Sequence, residues 1–185
     1  MDKLFAAVER LYEPYITVWE DICNIESPTE NKAAVDEVSA YITAIARRHG
    51  WQVEVCAQEQ AGDVVCITMN PTATGAPITL SGHMDTVHPI GSFGTPAVHR
   101  DEEKIYGPGV TDCKGGLAVA LLAMHALEEA AHKIVALEVH KDNTGIPCVD
   151  NMGAAGDRIH SPDEYAYLTS LKENAKRIAA VVWHY

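Results

Sequence analysis

A histidine and an aspartate stand two residues apart in the stretch SGHMDTV, at the end of an apolar run. Residues i and i+2 of a strand project from the same face, so His83 and Asp85 are expected side by side where the strand candidate ITLSGHMD ends. A neutral imidazole binds a metal through one nitrogen, and a carboxylate on the other nitrogen fixes its tautomer. The pair alone fits a metal ligand with its supporting carboxylate, and it also fits an ordinary solvated turn, which is the commoner case.

A lone aspartate, Asp112, lies in the glycine-rich stretch YGPGVTDCKGG. The surrounding glycines permit close backbone approach, and an apolar helix is expected to begin directly afterwards, at Gly115. A carboxylate in such a turn could point into a cleft, or it could cap the helix. This stretch alone does not decide between the two interpretations.

Helices and strands alternate around these two stretches. A helix is predicted over about the first 24 residues, with a break at Pro14, and a second helix from a capping box at residues 27–30 to Gly50. Two further helices are predicted from Gly115 onward and over about the last 20 residues. The strand candidates are WQVEVCA, GDVVCITMN, ITLSGHMD and KIVALEV, and residues 88–104 are predicted as a loop. The alternation predicts an α/β fold with a mixed or largely parallel sheet, and ligands of such sheets bind at the carboxyl ends of strands.

Composition limits the class of protein. The length of 185 residues fits one domain, residues 1–185, and the net charge of −12 argues against nucleic acid and anionic membranes as partners. Apolar runs fall short of the roughly 20 residues that span a bilayer. The five cysteines show no CxxC spacing, so we expect a reduced, cytoplasmic protein without a cysteine-based zinc site.

Read together, the two stretches resemble the signatures of the M20 family of metal-dependent peptidases and amidohydrolases. Their residues are most similar to those of its carboxypeptidase branch. A third stretch, MGAAGDRIHSPDEYAYLTSLKENAKRIAAVV, resembles the C-terminal segment of that family and contains His160. Without this context, His160 would be taken as a surface histidine before a helix. Residues 1–130 match the N-terminal segment of the family and residues 145–185 the C-terminal one, so residues 131–144 form the junction.

The resemblance implies a three-layer sandwich with a mixed, mostly parallel sheet flanked by helices. It also implies one or two zinc ions, with cobalt or manganese as substitutes, bound by His83, Asp112 and His160. Asp112 matches the bridging carboxylate, Asp85 supports His83, and the Asp112–Cys113 peptide is expected to be cis. The implied reaction is hydrolysis of an amide bond in a peptide or N-acyl amino acid by a metal-activated water.

The chain departs from the family pattern in its middle. Family members carry a Glu-Glu pair after a strand and an inserted lid domain, whereas Glu128-Glu129 ends the buried helix and is rejected as that pair. An internal deletion is the favoured explanation, and the alternative is a compact enzyme in which Asp142 and Asn143 replace the pair. The candidate catalytic residues are therefore Asp85 and Asp142.

Three functions follow from these observations. The first is a metal-dependent hydrolase acting on a peptide or small-molecule substrate, and the second is a lid-less core that binds metal without efficient hydrolysis. The third, nucleophilic chemistry at Cys113 activated by Lys114, is weak because no histidine is implied as its base. Apolar surface left by the absent lid could promote self-association.

Overall fold

The structure is a computed structural model that describes residues 1–73, 78–130, 137–139 and 152–184, with residues 137–139 described by their backbone. Its elements, in chain order, are α1 Asp2–Asn24, α2 Lys32–Arg48, β1 Gln52–Cys56, β2 Val64–Thr68, β3 Ile78–Leu80, β4 His99–Arg100, β5 Lys104–Tyr106, α3 Lys114–Glu129, β6 Leu137–Val139, β7 Gly156–Asp157, β8 Tyr165–Tyr167 and α4 Leu168–His184.

Helix α1 continues through Pro14, so the predicted break there is wrong. Proline removes one backbone hydrogen bond from a helix, but the buried face of α1 extends on both sides of it. Leu11 and Tyr15 are buried on either side of Pro14, and Trp19 and Ile22 are fully buried one and two turns later. Packing of this apolar stripe therefore holds the helix together across the proline.

The predicted capping box at residues 27–30 is also wrong, because α2 begins at Lys32 and is capped by Asn31. The side-chain oxygen of Asn31 accepts a hydrogen bond of 3.2 Å from the amide of Ala34. Ser27 donates its hydroxyl to the carbonyl of Met84 at 2.7 Å instead. Pro28 forms a parallel bridge with Thr86, so tertiary pairing with the loop after β3 keeps residues 27–29 out of the helix.

The strands of the described residues form three small sheets. Strands β1 and β2 pair antiparallel, β3 and β6 pair parallel, and β4, β5, β8 and β7 form an antiparallel sheet in that order. The α/β class and a strand within KIVALEV are confirmed. Mostly parallel pairing in one sheet is not seen in the described ranges, because short connections such as residues 101–103 return the chain antiparallel.

The core lies where helices α1, α3 and α4 pack against one another, while α2 packs on β1 and β2. Helix α3 is buried on nearly all sides, as predicted, and Leu122, Met124 and Leu127 are fully enclosed. The amino end of α3 therefore emerges from the core directly after Asp112 and Cys113. Within the described ranges, no helix is long and apolar enough to cross a membrane.

Candidate metal centre

Three loops bring the predicted metal ligands together around one carboxylate. His83 follows β3, Asp112 precedes α3, and His160 lies between β7 and β8. The Nε2 atom of His83 is 3.0 Å from Oδ1 of Asp112, and the Nε2 atom of His160 is 2.9 Å from Oδ2 of the same side chain. Each oxygen of one aspartate thus faces one imidazole, which is the arrangement of a bridging carboxylate between two histidines.

Asp85 fixes the tautomer of His83. The Nδ1 atom of His83 lies 3.1 Å from Oδ1 of Asp85 and 3.0 Å from its backbone carbonyl oxygen, and both oxygens are acceptors. Nδ1 therefore carries a proton and donates it, so His83 would bind a metal ion through Nε2. Thr29 donates its hydroxyl to Oδ2 of Asp85 at 2.6 Å and orients that carboxylate in turn.

Both aspartates of this centre have lowered pKa values. Partial burial alone would raise the pKa of Asp112, but hydrogen bonds and positive charge from His160 and His83 outweigh it. Burial likewise opposes the shift at Asp85, where the hydrogen bond from Thr29 and the charge of His83 lower the pKa. Both carboxylates are therefore ionised near neutral pH, the form that binds cations.

Glu164 is a buried member of this centre that the sequence did not single out. Its side chain is 1% exposed, and its Oε1 atom accepts hydrogen bonds from the amides of Thr111 at 2.9 Å and Asp112 at 3.2 Å. Its Oε2 atom lies 2.9 Å from Nε2 of His88. The available signal was its place in His-Ser-Pro-Asp-Glu, four residues after His160.

The turn before α3 has the implied backbone geometry. The Asp112–Cys113 peptide is cis, and Cys113 is the N-cap residue without a side-chain cap hydrogen bond. Asp112 faces the two histidines, so the capping interpretation of Asp112 is wrong. Lys114 is buried, and burial lowers its pKa. Its ammonium group donates a hydrogen bond of 2.6 Å to the carbonyl oxygen of Ile25.

Two cavities adjoin the centre. A small one of about 30 Å³ is lined by His83, Asp85, Thr86, Val87, His88, Asp112 and His160. A larger, mainly apolar one of about 330 Å³ extends from His83 and Asp85 between α2, β2 and α3. Asp142 and Asn143, and the junction at 131–144 apart from 137–139, lie outside the described residues.

The donor set fits a divalent cation of the zinc class. Each imidazole lies at hydrogen-bonding distance from one oxygen of Asp112, and a cation that replaced the Nε2 proton would be bound by the same nitrogen and oxygen atoms. Ligand atoms of a tetrahedral zinc site at 2.0–2.1 Å lie about 3.3 Å apart, close to the two separations seen here. The residues could therefore accept an ion with small movements of the side chains.

Comparison with known proteins supports the resemblance drawn from the motifs. Residues 79–142 match the sequence model of peptidase family M20/M25/M40, a range that contains both signatures. Carboxypeptidase G2 from Pseudomonas sp. (strain RS-16) is 30% identical over 129 residues, which cover 68% of this chain and 31% of that protein. The resemblance to the M20 family is thereby confirmed.

Solved structures share the fold at low sequence identity. Human carnosine dipeptidase 1 superposes with a TM-score of 0.65 at 17% identity, covering 75% of this chain and 33% of its own. An M20 family metallo-carboxypeptidase from Sulfolobus solfataricus superposes with a TM-score of 0.57 at 19% identity, covering 68% and 29%. The chain thus spans about a third of the length of the relatives that it matches.

Proposed function

Because this chain resembles peptidase family M20 in its motifs and in its fold, we propose that it is a metal-dependent hydrolase of that type. Its substrate would be an amide bond of a peptide or an N-acyl amino acid, and residues 1–185 would act as one catalytic-type domain. The observation that carries the proposal is the pair of imidazoles on the two oxygens of Asp112.

The ion would be held by His83, Asp112 and His160. Zn²⁺ is the first candidate, with Co²⁺ or Mn²⁺ as substitutes, and one or two ions are compatible with a carboxylate that faces two histidines. When bound, such an ion supplies Lewis-acid polarisation of the amide carbonyl and a water of lowered pKa.

The remaining side chains position this centre. Asp85 is a positioning residue that keeps the proton of His83 on Nδ1, and Thr29 keeps Asp85 in place. Glu164 holds the amides of Thr111 and Asp112, which fixes the backbone that carries the bridging carboxylate. An amide substrate would place its carbonyl in the small cavity between His83, Asp112 and His160.

Proton transfer is the step for which the chain has the weakest candidate. Asp142 would act as the general base, taking a proton from the attacking water and passing it to the leaving amine. The absence of the Glu-Glu pair favours a second candidate function, a core that binds metal without efficient hydrolysis. Loss of a positioned base lowers rates by about 10²–10⁴-fold, so residual activity would be low in that case.

The first experiment measures metal-dependent amidase activity of the full chain. Apo-protein is titrated with Zn²⁺, Co²⁺ or Mn²⁺ and assayed with N-acyl amino acids and dipeptides, alongside His83→Ala and Asp112→Asn. Both substitutions should remove the metal bound at this centre and any activity, whereas Asp163→Asn, an exposed change near His160, should leave both intact. Unchanged metal stoichiometry in Asp112→Asn would show that the centre is assigned wrongly.

The second experiment separates the two candidate functions with Asp142→Ala. If the chain is a compact enzyme, this variant should bind metal normally and lose activity by about 10²–10⁴-fold. If the chain binds metal but the wild type hydrolyses none of these substrates, the metal-binding core is the correct function. Activity that survives in Asp142→Ala would exclude Asp142 as the base.

A further inference from the structure

A second group of metal-type donors lies at the opposite end of α3 from the candidate metal centre. His49, His125 and Glu128 each offer one nitrogen or oxygen, and these atoms all lie within 4.8 Å of one another. From Lys114, two residues after Asp112, to Glu128 the helix rises about 1.5 Å per residue, so the two groups are separated by about 20 Å. The second group therefore has no ligand in common with the first.

We propose that His49, His125 and Glu128 form a second binding site for a divalent cation of the zinc class. Two imidazoles and one carboxylate are donors that zinc accepts, with water in the remaining position. His125 and Glu128 are three residues apart on α3 and thus share one face of the helix. His49 is the C-cap residue of α2, so an ion here would join the ends of two helices.

Neighbouring side chains hold these donors in place. The ring of His49 stacks on Trp51 with a centroid distance of 4.6 Å, and the indole nitrogen of Trp51 donates to Oε1 of Glu128 at 3.1 Å. The hydroxyl of Tyr15 lies 3.2 Å from Nδ1 of His125, so it restrains the orientation of this ring. Hydrogen bonds from outer groups are what orient histidine ligands in metal sites.

The group is also accessible to an ion. The side chains of His49 and His125 are each 20% exposed and that of Glu128 is 37% exposed. Oε2 of Glu128 faces Nδ1 of His49 at 2.8 Å, so an ion between them requires only a small widening. Glu129, the next acid on α3, is paired with Arg10, and its Oε1 atom lies 3.5 Å from Nε2 of His125; it is left out of the ligand set because Arg10 neutralises its charge.

The test counts zinc equivalents with the candidate metal centre removed. His83→Ala/His160→Ala protein is titrated with Zn²⁺ by calorimetry in the presence of a weak chelator that competes for surface-bound ions. One equivalent should remain, and adding Glu128→Gln or His125→Gln should weaken it by more than about tenfold. The matched control is His99→Gln, a histidine stacked on Tyr106 outside both groups, which should change nothing.

Two further measurements separate binding from a purely structural network. Glu128→Gln keeps the shape of the side chain and an acceptor for Trp51, so its fold, checked by circular dichroism, should be retained. Tyr15→Phe removes only the hydroxyl that orients His125 and should weaken zinc binding by about 10-fold. In the full chain, Glu128→Gln should lower the zinc count by one equivalent, even if the double-histidine background folds poorly.

The proposal is overturned if the background protein takes up no zinc against the chelator. It is also overturned if folded Glu128→Gln and His125→Gln bind zinc as well as their parent does. Either result would mean that these three residues are a hydrogen-bonded helix junction without a ligand. Because the counting uses metal alone, the outcome is independent of whether the chain hydrolyses an amide.

Discussion

At the scale of single residues, Glu164 links the backbone at Thr111 and Asp112 to the strand that follows His160. Glu164 is buried, and its Oε1 atom accepts hydrogen bonds from the amides of Thr111 and Asp112. Its Oε2 atom lies at hydrogen-bonding distance from the ring of His88. A buried amide without an acceptor costs about 1–3 kcal/mol. The function of Glu164 is thus to keep two amides satisfied at the position where Asp112 must stay fixed.

Replacing Glu164 by leucine should therefore destabilise the fold by about 3 kcal/mol or more, because both amides lose their acceptor. Glu164→Gln keeps an acceptor oxygen and should lose much less. Urea denaturation of the two variants measures the difference. Equal stability of both variants and the parent protein would show that the amides find other partners.

The types of the site residues and the contact of Asp85 with His83 could be predicted from sequence, but the contacts of Glu164 and Thr29 could not. His83, Asp112 and His160 were predicted as metal ligands because their motifs resemble those of the M20 family, and the structure brings the three side chains together. Glu164 and Thr29 act on partners that are 52 and 56 positions away, Asp112 and Asp85. A local sequence pattern cannot predict contacts between residues so far apart in the chain, because the folding of separate loops against each other creates them.

At the scale of elements, the first turn of α3 depends on one glycine and not on its neighbour. A Cβ atom at Gly115 would lie 2.1 Å from the carbonyl oxygen of Val110 and 2.7 Å from Cβ of Ala154. A Cβ atom at Gly116 would meet its nearest atom, in Gly153, at an ordinary 3.5 Å. The helix can approach the metal-site turn so closely only because residue 115 has no side chain.

Gly115→Ala should therefore destabilise the protein by at least about 2 kcal/mol through overpacking. Gly116→Ala is the matched control in the same helical turn, and it should be neutral or stabilising by up to about 1 kcal/mol, since alanine favours the helix. Thermal or urea unfolding of both variants decides the matter. A well-tolerated Gly115→Ala would mean that the turn can move away from α3.

The hairpin of β4 and β5 depends on an exposed aspartate. Asp101 accepts hydrogen bonds from the amides of Glu103 and Lys104, each at 2.8 Å, and from the hydroxyl of Tyr106 at 2.9 Å. These bonds lower the pKa of Asp101 below its ordinary value. The ionised carboxylate therefore stabilises the folded state above the unfolded pKa, and this contribution is lost as pH falls through the folded pKa.

Asp101→Asn should accordingly be less stable than the parent at about pH 7, and the difference should shrink toward about pH 3. Asparagine can still accept, but it lacks the charge that strengthens these bonds. The measurement is the free energy of unfolding of both proteins across this range. A difference that is independent of pH would show that the charge of Asp101 is not involved.

Element boundaries were predictable where a helix or strand is set by its own pattern. Helices α3 and α4 and strands β1 and β2 follow periodic apolar residues, and all four were expected near their observed positions. The start of α2 could not be predicted, because Thr86 and Met84 bind residues 27–29 and keep them out of the helix. The passage of α1 through Pro14 could not be predicted either, because packing of its buried face outweighs the hydrogen bond that the proline removes. Long-range contacts decided both cases.

At the scale of the whole molecule, one strand pair brings the two family-like segments together. Strand β5 precedes Asp112 and pairs antiparallel with β8, which follows His160. The candidate metal centre is therefore shared between the N-terminal and C-terminal segments, and an ion would connect parts of the chain that a denatured protein holds far apart. Metal binding and global stability should be coupled as a result.

Zinc should stabilise the full chain in the Glu128→Gln background, in which the proposed second site is disabled. At a free zinc concentration of about 100 times the dissociation constant, the gain in unfolding free energy should be about 2.7 kcal/mol if the unfolded chain binds no zinc. His160→Ala in the same background should lose most of this gain, because the ion would no longer bridge the two segments. Asp163→Asn, an exposed change in the same loop, is the control and should keep it. Unfolding measured with zinc and after chelation gives the comparison, and a full gain in His160→Ala would remove His160 from the ligand set.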